Sequence, residues 1–177
     1  MSELLVGLPP RIATDCRVLV LGSMPGGASL RAGEYYAHPR NRFWPLMARL
    51  CGFEAALPYE ARMHALQQAG VGIWDVIGRC QRAGSLDTAI LRGSEVPNPV
   101  AEQIRDSRAL HAIALNGAKA AEAFRRHVLP RIDPVHRERL AILPMPSTSP
   151  ANAAASLDRL AQAWSVLGAH LRASPHG

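Results

Sequence analysis

The stretch Tyr35-Tyr36-Ala37-His38-Pro39-Arg40-Asn41-Arg42-Phe43-Trp44 sets two tyrosines beside His38 and Asn41. Flat rings next to polar groups suit a planar nucleobase, and stacking on such a surface is worth ~1–3 kcal/mol per base. The same residues also admit a purely architectural reading, in which Phe43 and Trp44 are core at a helix start and Asn41 is its cap. Pro45 is best tolerated in the first turn of a helix, which moves the expected cap toward Arg42 or Phe43 and leaves Asn41 freer to act on a ligand.

Further unusual residues lie elsewhere in the chain. The segment Gly22-Ser23-Met24-Pro25-Gly26-Gly27-Ala28-Ser29 is rich in glycine, but it lacks GxGxxG and no Gly-Lys-Ser/Thr closes it as a phosphate loop would need. Its small residues either let backbone N–H groups face a phosphate or base edge, or simply make a tight turn. Asp75 ends an apolar run, where it can accept a base N–H, cap a helix or pair with an arginine. Ser85 and Asp87 follow it, and Asn116-Gly117 is either a second polar group at a strand end or a turn. The segment Pro146 to Asn152, with Ser147, Thr148, Ser149, Pro150 and Asn152, is rich in hydroxyls and stiffened by proline. It can grip phosphate or push into a duplex, or it is an ordinary loop before a helix. No Cys-His or Ser-His-Asp spacing, HExxH or carboxylate cluster points to a nucleophile or a metal.

Four short apolar runs supply strands to position these groups: Arg17 to Leu21, Val71 to Val76, His111 to Leu115 and Leu140 to Leu143. Each is too short for a helix and nearly continuous in apolar residues, as buried parallel strands are. Helices are expected at Trp44 to Leu50, Glu60 to Ala69 with Gly70 as C-cap, Val100 to Leu110, and Ala118 to Val128, stopped by Pro130. Ala154, Leu157, Leu160, Ala161, Trp164, Leu167 and Leu171 share one face of a long final helix, started by Ser149 to Asn152. The alternation predicts an α/β fold, a three-layer α/β/α sandwich around a four-stranded parallel sheet. Ligands of such sheets bind beyond the carboxyl ends of the strands, and every unusual segment falls there, so one cleft is expected.

Composition bounds the function classes. The chain has 177 residues, 48% of them hydrophobic, which suits a single domain over 1–177 with a core from about 15 to 172 and frayed termini. Net charge is +6, and Lys119 is the only lysine, so arginine carries the excess. That balance fits either a nucleic-acid partner, whose phosphates take bidentate arginine contacts, or an ordinary solvated surface. Cys16, Cys51 and Cys80 stand far apart with no CxxC pair, against a disulfide framework or a four-cysteine metal site. No apolar run nears the ~18 residues of a membrane span, and the N-terminal residues do not resemble a secretion signal, so a cytoplasmic protein without metal or cofactor is expected.

Joined together, LVLGSMPGGAS (Leu19 to Ser29), YYAHPRNRFW (Tyr35 to Trp44), GIWDVIGRCQRAGSLDTAI (Gly72 to Ile90), LNGAKAAEAF (Leu115 to Phe124) and LPMPSTSPAN (Leu143 to Asn152) resemble the uracil-DNA glycosylase superfamily. The likeness is greatest to its hypoxanthine-DNA (deoxyinosine) glycosylase branch, beside the mismatch-specific uracil/thymine glycosylases. It runs from about residue 15 to 170, and YYAHPRNRFW and PSTSPAN are its most specific pieces. The resemblance implies a monomeric, monofunctional enzyme that flips a damaged nucleotide out of DNA and hydrolyses its N-glycosidic bond without metal or cofactor, its partner being DNA that contains a deaminated base. By position, Tyr36 would stack on the flipped base and Asn41 would hold the attacking water. Gly22, Ser23, Met24, Asp75, Ser85, Asp87 and Asn116 would line the base, while His38, Arg40 and the loop Ser147 to Asn152 would meet phosphates and fill the vacated stack.

Two positions depart from the wider superfamily. Where the uracil enzymes carry Asp or Asn in GxDP or GxNP, this chain has Met24, and where they carry His or Asn before Pro-Ser, it has Met145. Met can neither position water nor steady a leaving base, which favours the branch in which Asn41 takes over the water. An asparagine suffices chemically: its carboxamide accepts a water proton and fixes the water's direction, and an oxocarbenium-like sugar needs only a weak nucleophile. Backbone N–H groups of the Gly22–Gly27 loop could steady the departing base. The alternatives are a uracil- or broad-range glycosylase of the same fold, a DNA-damage-binding module that has lost catalysis, and a hydrolase of free nucleotides.

Overall fold

The computed structural model describes residues 2–172. Its centre is a parallel sheet built from β2 (Val18–Gly22), β3 (Val71–Asp75), β6 (Ala112–Asn116) and β7 (Ala141–Met145), in the order β3-β2-β6-β7. The pairing is in register from Val18↔Val71 to Gly22↔Asp75 and from Ala112↔Ala141 to Asn116↔Met145, so the carboxyl ends of the strands finish level with one another. Successive side chains on a strand point to opposite faces, and here both faces are covered. Leu19, Leu21, Ile113 and Leu115 pack against Val100 and Ile104 of α4 (Val100–Asp106) and against Ala123 and Phe124 of α5 (Ala118–His127). Val18, Val20, Ala112 and Ala114 pack the other way, against Phe43, Leu46 and Met47 of α2 (Phe43–Cys51), Met63 and Leu66 of α3 (Tyr59–Gln68), and Leu160 and Trp164 of α7 (Leu157–Trp164). The expected three layers and four parallel strands are both present.

A second sheet was not expected. β1 (Glu3–Val6), β4 (Ile77–Arg82) and β5 (Val96–Pro97) pair antiparallel in the order β1-β4-β5. The chain leaves β3 and, after Val76 alone, enters β4, while Val76 and Ile77 still donate to the carbonyls of Gly22 and Ser23. The segment ahead of residue 15, expected to fray, therefore supplies a strand, and Arg11 exchanges backbone bonds with Ile73. β4 reads IGRCQR, with exposed Arg79 and Gln81 alternating with buried Cys80 and Arg82; that is a half-buried edge pattern with too few apolar residues to stand out. The fraying expected after residue 172 falls outside the described residues.

Helix ends also differ. The helix from Val100 ends at Asp106 rather than Leu110, because the Ser107 hydroxyl turns back to donate to the Gln103 carbonyl. The last helix starts at Leu157, where the Ser156 side chain accepts the Arg159 N–H, and not at Ser149 to Asn152; beyond Trp164 it tightens into a 3-10 turn over Ser165–Ala169. Two short helices complete the set: α1 (Gly27–Ala32), directly after the glycine-rich turn, and α6 (Pro134–Arg139), capped by Asp133 with Pro134 at its first position.

Candidate active site

Because the four parallel strands end level, Gly22, Asp75, Asn116 and the chain leaving Met145 all reach the same rim, where they surround a cleft of about 750 Å³. All the residues expected from the sequence to meet the base or the DNA line it. The glycine loop contributes Gly22, Ser23 and Met24, the aromatic segment Tyr36, His38, Arg40 and Asn41, and the turn after β4 Ser85 and Asp87. Asp75 and Asn116 form the strand ends, and Ser147, Thr148, Ser149, Pro150 and Asn152 close the far side.

The two adjacent tyrosines have separate places. Tyr35 is buried, its hydroxyl donating to the carbonyls of Leu8 and Pro9, and its carbonyl takes the Trp44 indole N–H. Tyr36 faces the cleft. Its ring lies on Phe43, 3.9 Å between centroids and 20° from parallel, and the Asn116 amide donates to its hydroxyl at 3.3 Å. Tyr36 has φ +56°, a left-handed conformation that costs a side-chain-bearing residue about 1–2 kcal/mol. The stack on Phe43 and the bond from Asn116 hold it there, so Phe43 is core and also the backing for Tyr36.

Asn41 is not the cap of α2, as the argument from Pro45 predicts, yet it still bonds the first turn of the helix. The formal cap position falls on Arg42, which supplies no side-chain bond; Asn41, one residue earlier, accepts the Phe43 N–H on Oδ1 at 2.9 Å. This bond fixes the carboxamide plane and leaves one Oδ1 lone pair and both Nδ2 hydrogens free. Arg42, which sequence reasoning missed, points the other way. Its guanidinium donates to the carbonyls of Ser149 (2.7 Å), Asn152 (2.9 Å) and Ala155, and its own N–H bonds the Thr148 carbonyl. No local signal marks Arg42, because these partners lie 107 to 113 residues away in sequence.

The loop from Ser147 to Asn152 is stitched to itself and to the sheet. Asn116 receives the Thr148 N–H on Oδ1 and donates from Nδ2 to the Thr148 hydroxyl, each at 3.0 Å. Thr148 is fully buried, so it braces the loop instead of presenting a hydroxyl to phosphate. Ser147 Oγ accepts from Ser149 N, Ser149 Oγ from Ala151 N, and the Asn152 amide donates to the Ser147 carbonyl. His38 and Arg40 are exposed at the mouth, with His38 Nδ1 accepting the Arg40 N–H.

On the opposite wall, Ser23 donates to Asp87 Oδ1 at 2.6 Å, and Ser85 Oγ accepts the Gly27 N–H at 2.9 Å. Asp75 forms the floor and is 4% exposed. Burial pushes its carboxyl up to about 7, the nearby Asp87 charge adds to the rise, and Arg82 opposes it. Arg82 is also fully buried, donating to the carbonyls of Pro25 (2.6 Å) and Gly84 (2.9 Å), and thereby ties the glycine loop to the turn that carries Ser85 and Asp87. Met24 is buried in the core layer beneath this loop and Met145 in the layer on the other side of the sheet, neither offering a polar atom. Among the described residues, no three of His, Cys, Asp and Glu cluster as a metal site would need.

Comparisons with known proteins agree with this arrangement. Residues 9–168 match the model of the uracil DNA glycosylase superfamily. A hypoxanthine DNA glycosylase of Methanosarcina barkeri is 40% identical over 85 residues, 48% of this chain and 54% of that protein, so the match spans about half of that relative. A hypoxanthine DNA glycosylase of Methanosarcina acetivorans is 33% identical over 117 residues, 66% of this chain and 73% of that one. The solution NMR structure of a candidate uracil DNA glycosylase from Methanosarcina acetivorans superposes with a TM-score of 0.76 at 28% identity, covering 95% of this chain and 98% of that one.

Proposed function

The chain belongs to the uracil DNA glycosylase superfamily, and from that premise we propose that it is a monofunctional DNA glycosylase whose foremost substrate is deoxyinosine. It flips the nucleotide out of DNA, hydrolyses the bond between C1′ and the base, and leaves an abasic site. One observation carries this reading: the Tyr36 ring, the fixed Asn41 carboxamide and the self-braced loop from Ser147 to Asn152 line the same cleft. The names of the two Methanosarcina relatives support hypoxanthine as the base.

The residues divide the work by their chemistry. The flipped base stacks on Tyr36, which Phe43 backs and which Asn116 fixes by its hydroxyl. Asn41, oriented by the Phe43 N–H, accepts a hydrogen bond from the attacking water on its remaining Oδ1 lone pair and aims the oxygen at C1′. His38 and Arg40 at the mouth meet DNA phosphates, while Ser147, Ser149, Pro150 and Asn152 take up the gap the base leaves. Ser23, Asp87, Asp75 and Ser85 line the base edges. Selectivity rests partly on flipping, because a mispaired base costs less to unstack, and hypoxanthine pairs imperfectly with thymine. No helix among the described residues is long and apolar enough to cross a membrane; the reading places the chain in the cytoplasm, acting as a single-domain monomer without metal or cofactor.

A panel of labelled duplexes carrying one hypoxanthine, xanthine, uracil or no lesion, treated with alkali after incubation, tests the reading. Release is expected from hypoxanthine first and not from undamaged DNA. Release of uracil alone would overturn the substrate, and binding without release from any lesion would make the chain a damage-binding module.

A further inference from the structure

The floor of the cleft holds a carboxyl group with no partner. Asp75 forms no ion pair among the described residues, and its Oδ2 is buried without a hydrogen bond. Arg82, whose charge reaches it, gives Nε and Nη2 to the carbonyls of Gly84 and Pro25. On the cleft side, a β-carbon on Gly22 would collide with Asp75 Oδ1 and stand 3.2 Å from the Tyr36 hydroxyl. Gly22 therefore keeps open a space whose walls are the Asp75 carboxyl and the stacking tyrosine. A buried, unpaired carboxyl is costly as an anion, so it holds its proton unless a bound group takes it.

We propose that Asp75 is the general acid of the reaction, protonating the departing purine at a ring nitrogen other than N9. The inference rests on the glycosylase reading and deepens it. As the C1′–N9 bond breaks, its electron pair stays on N9 while the Asp75 O–H proton passes to the second ring nitrogen, so hypoxanthine leaves neutral and Asp75 becomes a carboxylate. The water held by Asn41 bonds to C1′ and loses its proton to solvent, and solvent returns a proton to Asp75 once the base has gone. Protonation helps a purine more than uracil, whose two carbonyl oxygens already spread the charge of a departing anion. The charge facing Asp75 comes from Asp87, which favours its protonated form, and Arg82, which opposes it; Tyr35 and Tyr36 stand beside it neutral. Burial raises the Asp87 carboxyl too, but the Ser23 hydroxyl donating to it and the charges of Arg82 and Lys119 favour its anion, whereas Asp75 accepts no such bond. Burial and Asp87 together keep the acid protonated to about pH 7, near the operating pH where general acids are most effective.

The test is single-turnover release of hypoxanthine across pH 5.5 to 9 by wild type, Asp75→Asn and Asp87→Asn, with DNA affinity measured alongside. Wild type is expected to lose rate about tenfold per pH unit above about 7, and Asp75→Asn to be on the order of 100-fold slower at pH 6, with a flat profile and affinity within a few-fold. Asp87→Asn is expected to move the alkaline limb to lower pH, because the charge that helps Asp75 hold its proton is gone. An Asp75→Asn enzyme that keeps the wild-type limb, or loses less than about fivefold in rate, would overturn the proposal. If that variant fails to fold, an unmoved limb in Asp87→Asn overturns it instead. A wild type that releases no hypoxanthine overturns the glycosylase reading itself.

Discussion

Asp75 shows how a site residue can work against the stability of the fold. An unfolded Asp titrates near 3.8, whereas burial holds the folded group to about 7, so between those values the folded state binds the extra proton. The sign follows: its contribution is fully present below about 4, is lost as pH rises through 7, and above that the buried anion is a net cost. Asp75→Asn keeps the shape without the charge. Chemical denaturation is expected to find the variant more stable than wild type by roughly 2–4 kcal/mol at pH 8, and the gap closing toward pH 4. Equal stability at both pH values would mean that the carboxyl is ionised or solvated in the folded protein. At the same scale, residue type and spacing pointed to Asn41 and to the pair Tyr35-Tyr36, the resemblance alone favoured Tyr36, and neither gave their geometry. The left-handed Tyr36 backbone and the bond from Phe43 N–H to Asn41 arise from how the segment turns into α2, which no periodicity records.

The elements that position the site were legible in proportion to how apolar they are. β2, β3 and β6 are buried on both faces, and their composition alone announced them; β7, at the sheet edge, is only half-buried but still reads as an apolar run. β1 and β4 each leave one face to solvent and pair with a partner about 75 residues away, so neither composition nor a nearby turn disclosed them. The loop from Ser147 to Asn152 was legible as a loop, but its rigidity was not, because Arg42 supplies it from across the chain. Removing the guanidinium leaves three carbonyls without that donor, which costs roughly 1–3 kcal/mol in stability. Arg42→Ala is expected to speed hydrogen exchange at residues 147–152 and to raise KM for lesion DNA about tenfold, since the loop must then be ordered on binding. Unchanged exchange in that loop would show that Asn116 and the internal serine bonds suffice to hold it.

Across the whole molecule, the carboxyl ends of the parallel strands gather the candidate residues on one face. Lys119, the only lysine, is engaged with Glu95 at 2.5 Å and Glu122 at 3.2 Å, so the free positive charge that DNA would meet is arginine. Two of the most telling arginines, Arg42 and Arg82, face carbonyls inside the protein and hold opposite walls of the cleft; Arg40 remains exposed at its mouth. The fold thus places the Tyr36 ring, the fixed Asn41 carboxamide and a braced loop around one space, and the proposed reaction needs those three to act on one nucleotide. The most direct test is single-turnover release of hypoxanthine from a duplex by wild type and Asn41→Ala, with the affinity of each for the same duplex. Loss of the Asn41 amide is expected to slow release on the order of 100-fold or more while affinity stays within a few-fold, because in the proposed role it acts on water and not on DNA. An Asn41→Ala enzyme that releases hypoxanthine at the wild-type rate would contradict the account.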